Sequence, residues 1–368
     1  MERYIMSWDE ISSFVYQTFV KLGVPSKDAS ICTDVLLESD RRGIESHGVN
    51  RFKPIYIDRI LKGIQNPVSE IEILKETPTT ITIDGHNGMG MVIAHHAMQK
   101  AIDKAKAFGL GMAVVRNSTH YGIAGYYATM ATKENLIGIT GTNARPSIAP
   151  TFGVENMLGT NPLTFGIPTD EDFPFVLDAA TSITQRGKIE YYARNNQDTP
   201  KGMVIGHNGT ELTDSKQILK DLTSGQAALA PLGGVGEELA GYKGYGYATV
   251  VEILSAALQD GPYLHMLNGK NEDGTLKPIP IGHFFIAINP EFFLGVDTLK
   301  KTTGNILREL RASKKDPKHD RIYTAGEKEY LTYLERKDSG VPLNEEVKKD
   351  LMTVRDLLKI DHIFSFEK

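Results

Sequence analysis

Apolar side chains in the first part of the chain recur at helical spacing. In "WDEISSFVYQTFVKLG", Ile11, Phe14, Val15, Phe19 and Val20 form one stripe, with Ser7 or Asp9 placed to cap it and Gly23 and Pro25 to end it. "SKDASICTDVLLESDRRG" repeats that logic, with Ser26 as cap and Gly43 as stop. "VNRFKPIYIDRILKG" predicts a third helix beginning near Arg51, with Pro54 in its early part. The pattern then changes period. "IEILKETPTTITID" alternates as strands do, and "MVIAHHAMQKAIDKAKAFG" is a helix that stops at Gly109. "GMAVVRN", "LIGITGTN", "NPLTFGIPT", "FPFVLDAAT" and "HFFIAINP" are short apolar runs that predict strands. Between them, "AGYYATMATKEN", "ITQRGKIEYYARNNQ" and "GYATVVEILSAALQ" predict helices. In the last of these, Tyr247, Val250, Val251, Leu254 and Leu258 share one face. The closing stretch is helical and charged. Residues 259–282 are rich in turn formers, and a loop of that length is usually functional, here a candidate lid or pocket wall.

Composition narrows the class without deciding it. The chain has 368 residues, 40% of them hydrophobic and 24% charged, as in a globular protein of two or three domains. A formal net charge of -5 gives no reason to expect nucleic acid or an anionic membrane as partner. Cys32 is the single cysteine and lies on an apolar helical stripe. That predicts a buried thiol, no internal disulfide and a reducing compartment, the cytoplasm. The charged start "MERYIMSWDE" does not read as a signal peptide, and no window is long and apolar enough to span a bilayer.

Glycine clusters raise the question of a dinucleotide fold, and the spacing answers it. After Gly234 and Gly236 the third glycine position is Leu239, and after Gly244 and Gly246 it is Thr249. A nucleotide here would need a scaffold other than the G-x-G-x-x-G turn.

Four stretches can carry chemistry. "RGIESHGVNR" sets His47 in a turn with Arg51 four residues on, an imidazole for proton transfer and a guanidinium for a carboxylate. Composition alone favours the plainer reading, a histidine that caps a helix end. "NSTHYGIAGYYA" places His120 between a strand and a helix N-terminus, either beside a ligand or within a capping cluster. "FVLDAATSITQRGK" ends a strand in Asp178 and then small and hydroxyl residues, through which a backbone can approach a ligand or which simply cap the next helix. "GYKGYGYATVVEIL" brings Lys243 and glycines to a helix start, an anion site or an exposed loop. His95 and His96 are adjacent on a helix and point apart, and no metal set with recognisable spacing is present.

In order along the chain, "RRGIESHGVNRF", "NSTHYGIAGYYATMA", "GTNPLTFGIPT", "LDAATS", "GYKGYGYATVVEIL", "GHFFIAINPEFF" and "AGEKE" resemble the non-Rossmann malate/L-lactate dehydrogenase family, which also holds ureidoglycolate, sulfolactate and diketogulonate oxidoreductases. The resemblance implies a mixed α/β fold. Its NAD(P)-binding domain would have a mainly antiparallel sheet, with a helical N-terminal part and a smaller domain. Boundaries are expected at 1–75, 76–290 and 291–368. It implies catalysis by His47 and His120, either of them the proton donor, and substrate binding by Arg51. It places the cofactor, NAD or NADP with NAD favoured, at Val176, Leu177, Asp178, Ala179, Ala180, Thr181 and Ser182, at Lys243 and Gly244, and at Ala325, Gly326 and Glu327. Arg186 and Lys188 are candidates for a 2′-phosphate. It implies no metal, a small 2-oxo or 2-hydroxy acid as substrate, and a homodimer. Ala144, Met203 and Ala325 depart from the family's usual serine, tryptophan and proline. A non-catalytic relative that binds ligand would have no need of a proton donor. An imidazole-based hydrolase would want a nucleophile or metal set that the chain does not display.

Overall fold

The computed structural model describes residues 4–368. Its centre is a seven-stranded sheet in the order Glu72–Glu76, Thr80–Asp84, Leu110–Ser118, Ile281–Ile288, Ile137–Thr142, Leu163–Ile167, Phe175–Ala179. Thr80–Asp84 runs parallel to Leu110–Ser118. Every other neighbour in the sheet is antiparallel, so the expected mainly antiparallel sheet is what is found. The one parallel pair needs a crossover, and the helix Gly90–Phe108 supplies it. That helix ends where Gly109 takes a φ of 84°, a conformation glycine adopts without a side-chain clash.

Alternation along the middle strands divides two cores. Ala113, Val115, Phe285 and Ala287 face the N-terminal helices and the helices Gly90–Phe108 and Ala124–Lys133. Val114 and Phe284 face the other way, onto Val251 of the helix Gly241–Ala256. The first of these cores runs from Met6 to Phe364. Strand Tyr4–Met6 pairs with Val341–Leu343, and the Phe14 and Phe364 rings meet at 4.8 Å. A separate apolar cluster of Ile148, Leu158, Ile189, Val204 and Ile218 surrounds the small ribbon of Val204–Gly206 and Ala227–Leu229. Among the described residues, no helix is long and apolar enough to cross a membrane.

Three local expectations are corrected. Pro25, not Ser26, holds the N-cap position of the helix Ser26–Arg41. The third helix is composite. Val49–Arg51 is a 3-10 turn, Phe52–Ile57 winds in wider π turns and Asp58–Leu61 is α-helical. Pro54 lies in the wide part. It has no N–H to donate and its ring would press on the preceding turn of a regular α-helix. The helix Gly241–Ala256 is turned over relative to its apolar stripe. Tyr247, Val250 and Leu258 are exposed, and the buried face is Gly241, Gly244, Ala248, Val251, Glu252 and Ser255. Small residues win that face because the sheet lies so close. A Cβ on Gly282 of the central strand would sit 1.7 Å from the Ser255 carbonyl oxygen.

Candidate active site

The turn after the helix Ser26–Arg41 is built to hold an imidazole. Gly43 turns the chain with a φ of 76°. His47 Nδ1 then lies 2.9 Å from Ser46 Oγ, and Arg51 Nε donates to the Ser46 carbonyl at 2.8 Å. The second histidine sits where the strand Leu110–Ser118 ends. Thr119 Oγ1 fixes that corner, donating to Gly88 O at 2.7 Å and accepting from Gly90 N at 2.9 Å. His120 follows. Its Nδ1 meets the Tyr56 hydroxyl at 2.8 Å and accepts from Gly122 N at 3.3 Å. An Nδ1 that accepts a backbone N–H leaves the proton of the neutral ring on Nε2. The His47 and His120 rings stack, centroids 5.8 Å apart and planes 22° from parallel. Residues 73 positions apart along the chain, from His47 to His120, thus share one site.

Both rings are held neutral. Burial lowers His47 to about 4, and the Arg51 charge adds to this. Burial also pulls His120 well below the usual imidazole range, with His47, Arg59, Arg51 and His283 acting in the same direction. Behind His120, Tyr121 stacks on the buried His283 at 4.5 Å, and His283 bridges Thr142 Oγ1 at 2.7 Å and Ser118 Oγ at 2.8 Å. That bridge locks the central strand to its two neighbours at the level of the site.

His47 borders a cleft of about 520 Å³, whose walls include Gly122–Gly125, Thr160, Val176, Leu177, Asp178, Ala180, Ala325 and Gly326. Asp178 is pinned across it, accepting from Gly125 N at 2.7 Å and from Thr164 Oγ1 at 2.9 Å. Its carboxyl is raised above the ordinary range by desolvation within those walls. Gly326, with a φ of 87°, carries its backbone against Val176.

The residues expected to hold cofactor therefore fall into groups. Val176, Leu177, Asp178, Ala180, Ala325 and Gly326 line the cleft with His47. His120 and Arg51 stand beside His47, outside that lining. Ala179 pairs with Leu163 at the end of its strand. Thr181 is buried and donates to Asn161 O at 3.0 Å, and Ser182 bridges to Pro231. Gly244 packs on Leu232, whose N–H donates to Thr181 O at 2.8 Å, so the start of the helix Gly241–Ala256 leans on the Val176–Ser182 stretch. Lys243 is exposed in the first turn of that helix, within it rather than in a loop before it. Glu327 turns from the cleft, its carboxylate accepting from Arg321 and from Thr324 N, with Arg311 at 3.6 Å. The 259–282 segment contributes Asp260, Gly261, Tyr263 and Leu264 to a separate recess of about 370 Å³ and does not line the His47 cleft. Tyr56, Arg59 and His283 had carried no local signal, because each sits in an apolar run and meets the site only through tertiary packing.

The sequence profile described as malate/L-lactate dehydrogenase matches residues 6–352. The chain belongs to the malate/L-lactate dehydrogenase family. A malate dehydrogenase of Pyrococcus horikoshii is 42% identical over 351 residues, covering 95% of this chain and 94% of the relative. An L-sulfolactate dehydrogenase of Methanocaldococcus jannaschii is 37% identical over 337 residues, covering 91% and 92%. The crystal structure of malate dehydrogenase from Entamoeba histolytica superposes with a TM-score of 0.94 at 44% identity, covering 99% of this chain and all of that one. The protein is therefore an enzyme acting on the CH–OH group of a hydroxy acid, with a small-molecule substrate and a nicotinamide cofactor. The resemblance read from the motifs and its mixed α/β fold are both borne out.

Proposed function

We propose that this dehydrogenase interconverts a 2-oxo acid and a 2-hydroxy acid of the malate or L-lactate type, with His120 or His47 as proton donor and acceptor and Arg51 on the substrate carboxylate. The observation that carries this reading is the stacked His47–His120 pair, with Arg51 in the same turn, beside the cleft lined by Val176–Asp178 and Ala325–Gly326. The cleft's 520 Å³ lies within the roughly 300–1,000 Å³ usual for cofactor pockets. Its walls at Gly122, Ala124, Gly125, Ala180 and Gly326 let a flat ligand approach the backbone.

The nicotinamide, when bound, supplies or accepts the hydride. The protein's part is protonic and positional. In the oxidative direction the neutral His120 ring accepts the hydroxyl proton at Nε2 in the tautomer whose own proton sits on Nδ1 and is donated to the Tyr56 hydroxyl, in place of the long hydrogen bond from Gly122 N. The Tyr56 hydroxyl, both donor and acceptor, can hold either tautomer of the neutral His120 ring by reversing its hydrogen bond to Nδ1, and accepts from Nδ1 in the imidazolium. In the reductive direction the same nitrogen returns the proton to the carbonyl oxygen. Arg51, oriented through Nε, leaves its terminal nitrogens for a bidentate carboxylate.

NAD is favoured over NADP in this reading. Arg186, which would serve a 2′-phosphate, is already engaged by Glu190 at 3.1 Å and Thr223 at 3.1 Å. Lys188 lies over Tyr191 at 4.9 Å. A homodimer is part of the same proposal, supported by the exposed apolar side chains Tyr247, Val250, Ile253 and Leu258. The buried free thiol of Cys32 suits the cytoplasm. The test mixes the protein with NADH or NADPH and a panel of 2-oxo acids, following cofactor absorbance. Turnover is expected with NADH, and loss of at least ~100-fold in H120Q or H47Q. Unchanged turnover in the H47Q/H120Q double variant would refute the assignment.

A further inference from the structure

The helix Glu327–Arg336 reaches both halves of the site. Its first end continues the cleft wall. Gly326 precedes it with its backbone against Val176, Lys328 and Glu329 line the cleft, and Tyr330 stacks on Phe173 with ring centroids 5.0 Å apart. The Glu327 carboxylate ties that end down, accepting from Thr324 N at 3.0 Å and meeting Arg311 at 3.6 Å. Ten helical residues then carry the backbone about 15 Å, to the turn that bears His47. Gly43 leaves room for the helix there, since a Cβ at that position would stand 2.9 Å from Thr332 Cγ2. The Arg42 guanidinium lies 5.7 Å from the centre of the Tyr333 ring. Arg336, in the last helical turn, donates from Nη1 to Asp40 O and from Nη2 to Glu45 Oε1, each at 2.7 Å. Its own carbonyl accepts from Trp8 Nε1 at 2.6 Å, so its backbone is held as well as its guanidinium.

Asp40 and Glu45 bracket the turn. Asp40 O belongs to the last turn of the helix Ser26–Arg41, where a cation is favoured. Glu45 stands two residues before His47. Arg336 thus joins the entry of the turn to the residue that leads into the imidazole. Neither Arg336 nor Glu45 lines the cleft. Their side chains keep 18% and 28% of their exposure, and an ion pair so open to water adds little to folding stability. What it fixes is geometry. Hydride transfer along the cleft and proton transfer at an imidazole act on adjacent atoms of one substrate, so the two sides of the site must keep a set separation.

We propose that the helix Glu327–Arg336 is a strut that sets the His47 turn against the cofactor-binding wall, with Arg336 as a positioning residue that acts on proton transfer through Glu45 and the Asp40 carbonyl. The inference rests on the dehydrogenase reading above, with His47 as one of its two acting rings. The wall keeps its own anchor at Glu327, so loosening the far end of the strut lowers turnover and leaves cofactor binding in place.

The test measures kcat and KM for oxaloacetate at saturating NADH, and the Kd for NADH by fluorescence titration without substrate. The proteins are wild type, R336Q, R336K, E45Q and E45Q/R336Q. R336Q should lose ~10-fold or more in kcat, while its Kd for NADH changes less than ~2-fold and its thermal midpoint little. R336K keeps a cation at the helix end and should recover part of the loss. E45Q keeps an acceptor and should lose less than R336Q. The double variant should be no worse than R336Q alone, because both changes cut one link. Wild-type kcat in R336Q would overturn the proposal. So would losses that multiply in the double variant, or a loss carried by the Kd for NADH. If R336Q unfolds at the assay temperature, R336K and E45Q decide instead, and wild-type kcat in both would overturn it. Wild type that reduces no 2-oxo acid, or an H47Q enzyme with wild-type turnover, would sink the reading beneath the proposal rather than the strut.

Discussion

The buried carboxylate of Asp40 accepts the backbone N–H of Val49 at 2.8 Å, and so clamps the turn that carries His47 to the end of the preceding helix. The fit leaves no spare room, since a Cβ on Gly48 would lie 2.1 Å from Asp40 Oδ2. Burial raises the Asp40 carboxyl to about 7, against the hydrogen bond from Val49. The folded state therefore keeps a proton that the unfolded chain releases from about pH 4 upward. Stability from this group is greatest below pH 4 and is lost as pH rises through 7, by at most roughly 4 kcal/mol. In D40N the amide oxygen still accepts from Val49 and the pH-dependent loss disappears. The advantage of D40N over wild type in urea unfolding should thus grow from pH 4 to pH 8. D40A orphans the Val49 N–H and should be ~1–3 kcal/mol less stable than D40N at every pH. An advantage of D40N that is flat with pH would contradict the argument.

Tyr56 supplies the other support, at His120 Nδ1. Y56F keeps the ring in the core and removes one hydroxyl. Turnover should fall by ~10- to 100-fold in both directions, with the KM for the cofactor unchanged, if His120 is the ring that transfers the proton, because the lost hydroxyl holds it. A Y56F enzyme with wild-type kcat would show that the hydrogen bond is structural.

Much of this was legible in the chain and some was not, for identifiable reasons. Short apolar runs locate the middle strands because each of them faces a core on both sides. Val114 and Val115 both read as apolar but serve opposite faces. Periodicity points to the wrong face of the helix Gly241–Ala256 because it weighs large side chains, whereas the sheet admits only small ones at Gly244 and Ala248. His47 and Arg51 carried a local pattern. Tyr56 and His283 did not, because their partners, His120 and Ser118, come from distant segments.

His283 gives the fold an acid-sensitive point. Burial lowers it to about 3, while both ring nitrogens are engaged by hydroxyls. The unfolded chain takes up a proton near pH 6.5 that the folded state refuses until about 3. Stability is full above pH 6.5 and is lost as pH falls towards 3. H283Q, which cannot be protonated and offers an amide to the same hydroxyls, should lose less stability than wild type between pH 6.5 and pH 4. Equal slopes in chemical unfolding across that range would show that other groups dominate acid sensitivity.

Gly326 links the C-terminal region to the cleft wall. Its φ of 87° is strained for any residue with a side chain, and a Cβ there would stand 2.9 Å from Val176 N and 3.3 Å from Pro174 O. Backbone atoms cannot step aside as a flexible side chain would. G326A should therefore push the Tyr323–Gly326 segment off Val176, where Ala325 O now accepts the Val176 N–H at 3.3 Å. The expected stability loss is ~1–2 kcal/mol. The functional loss should be larger for cofactor than for substrate, since Val176 and Gly326 line the cleft while Arg51 lies outside it. In titrations, G326A should raise the Kd for NADH by ~10-fold or more, with the KM for the 2-oxo acid at saturating NADH changed little. If instead NADH binds G326A as it binds wild type, the cofactor does not lie along this wall.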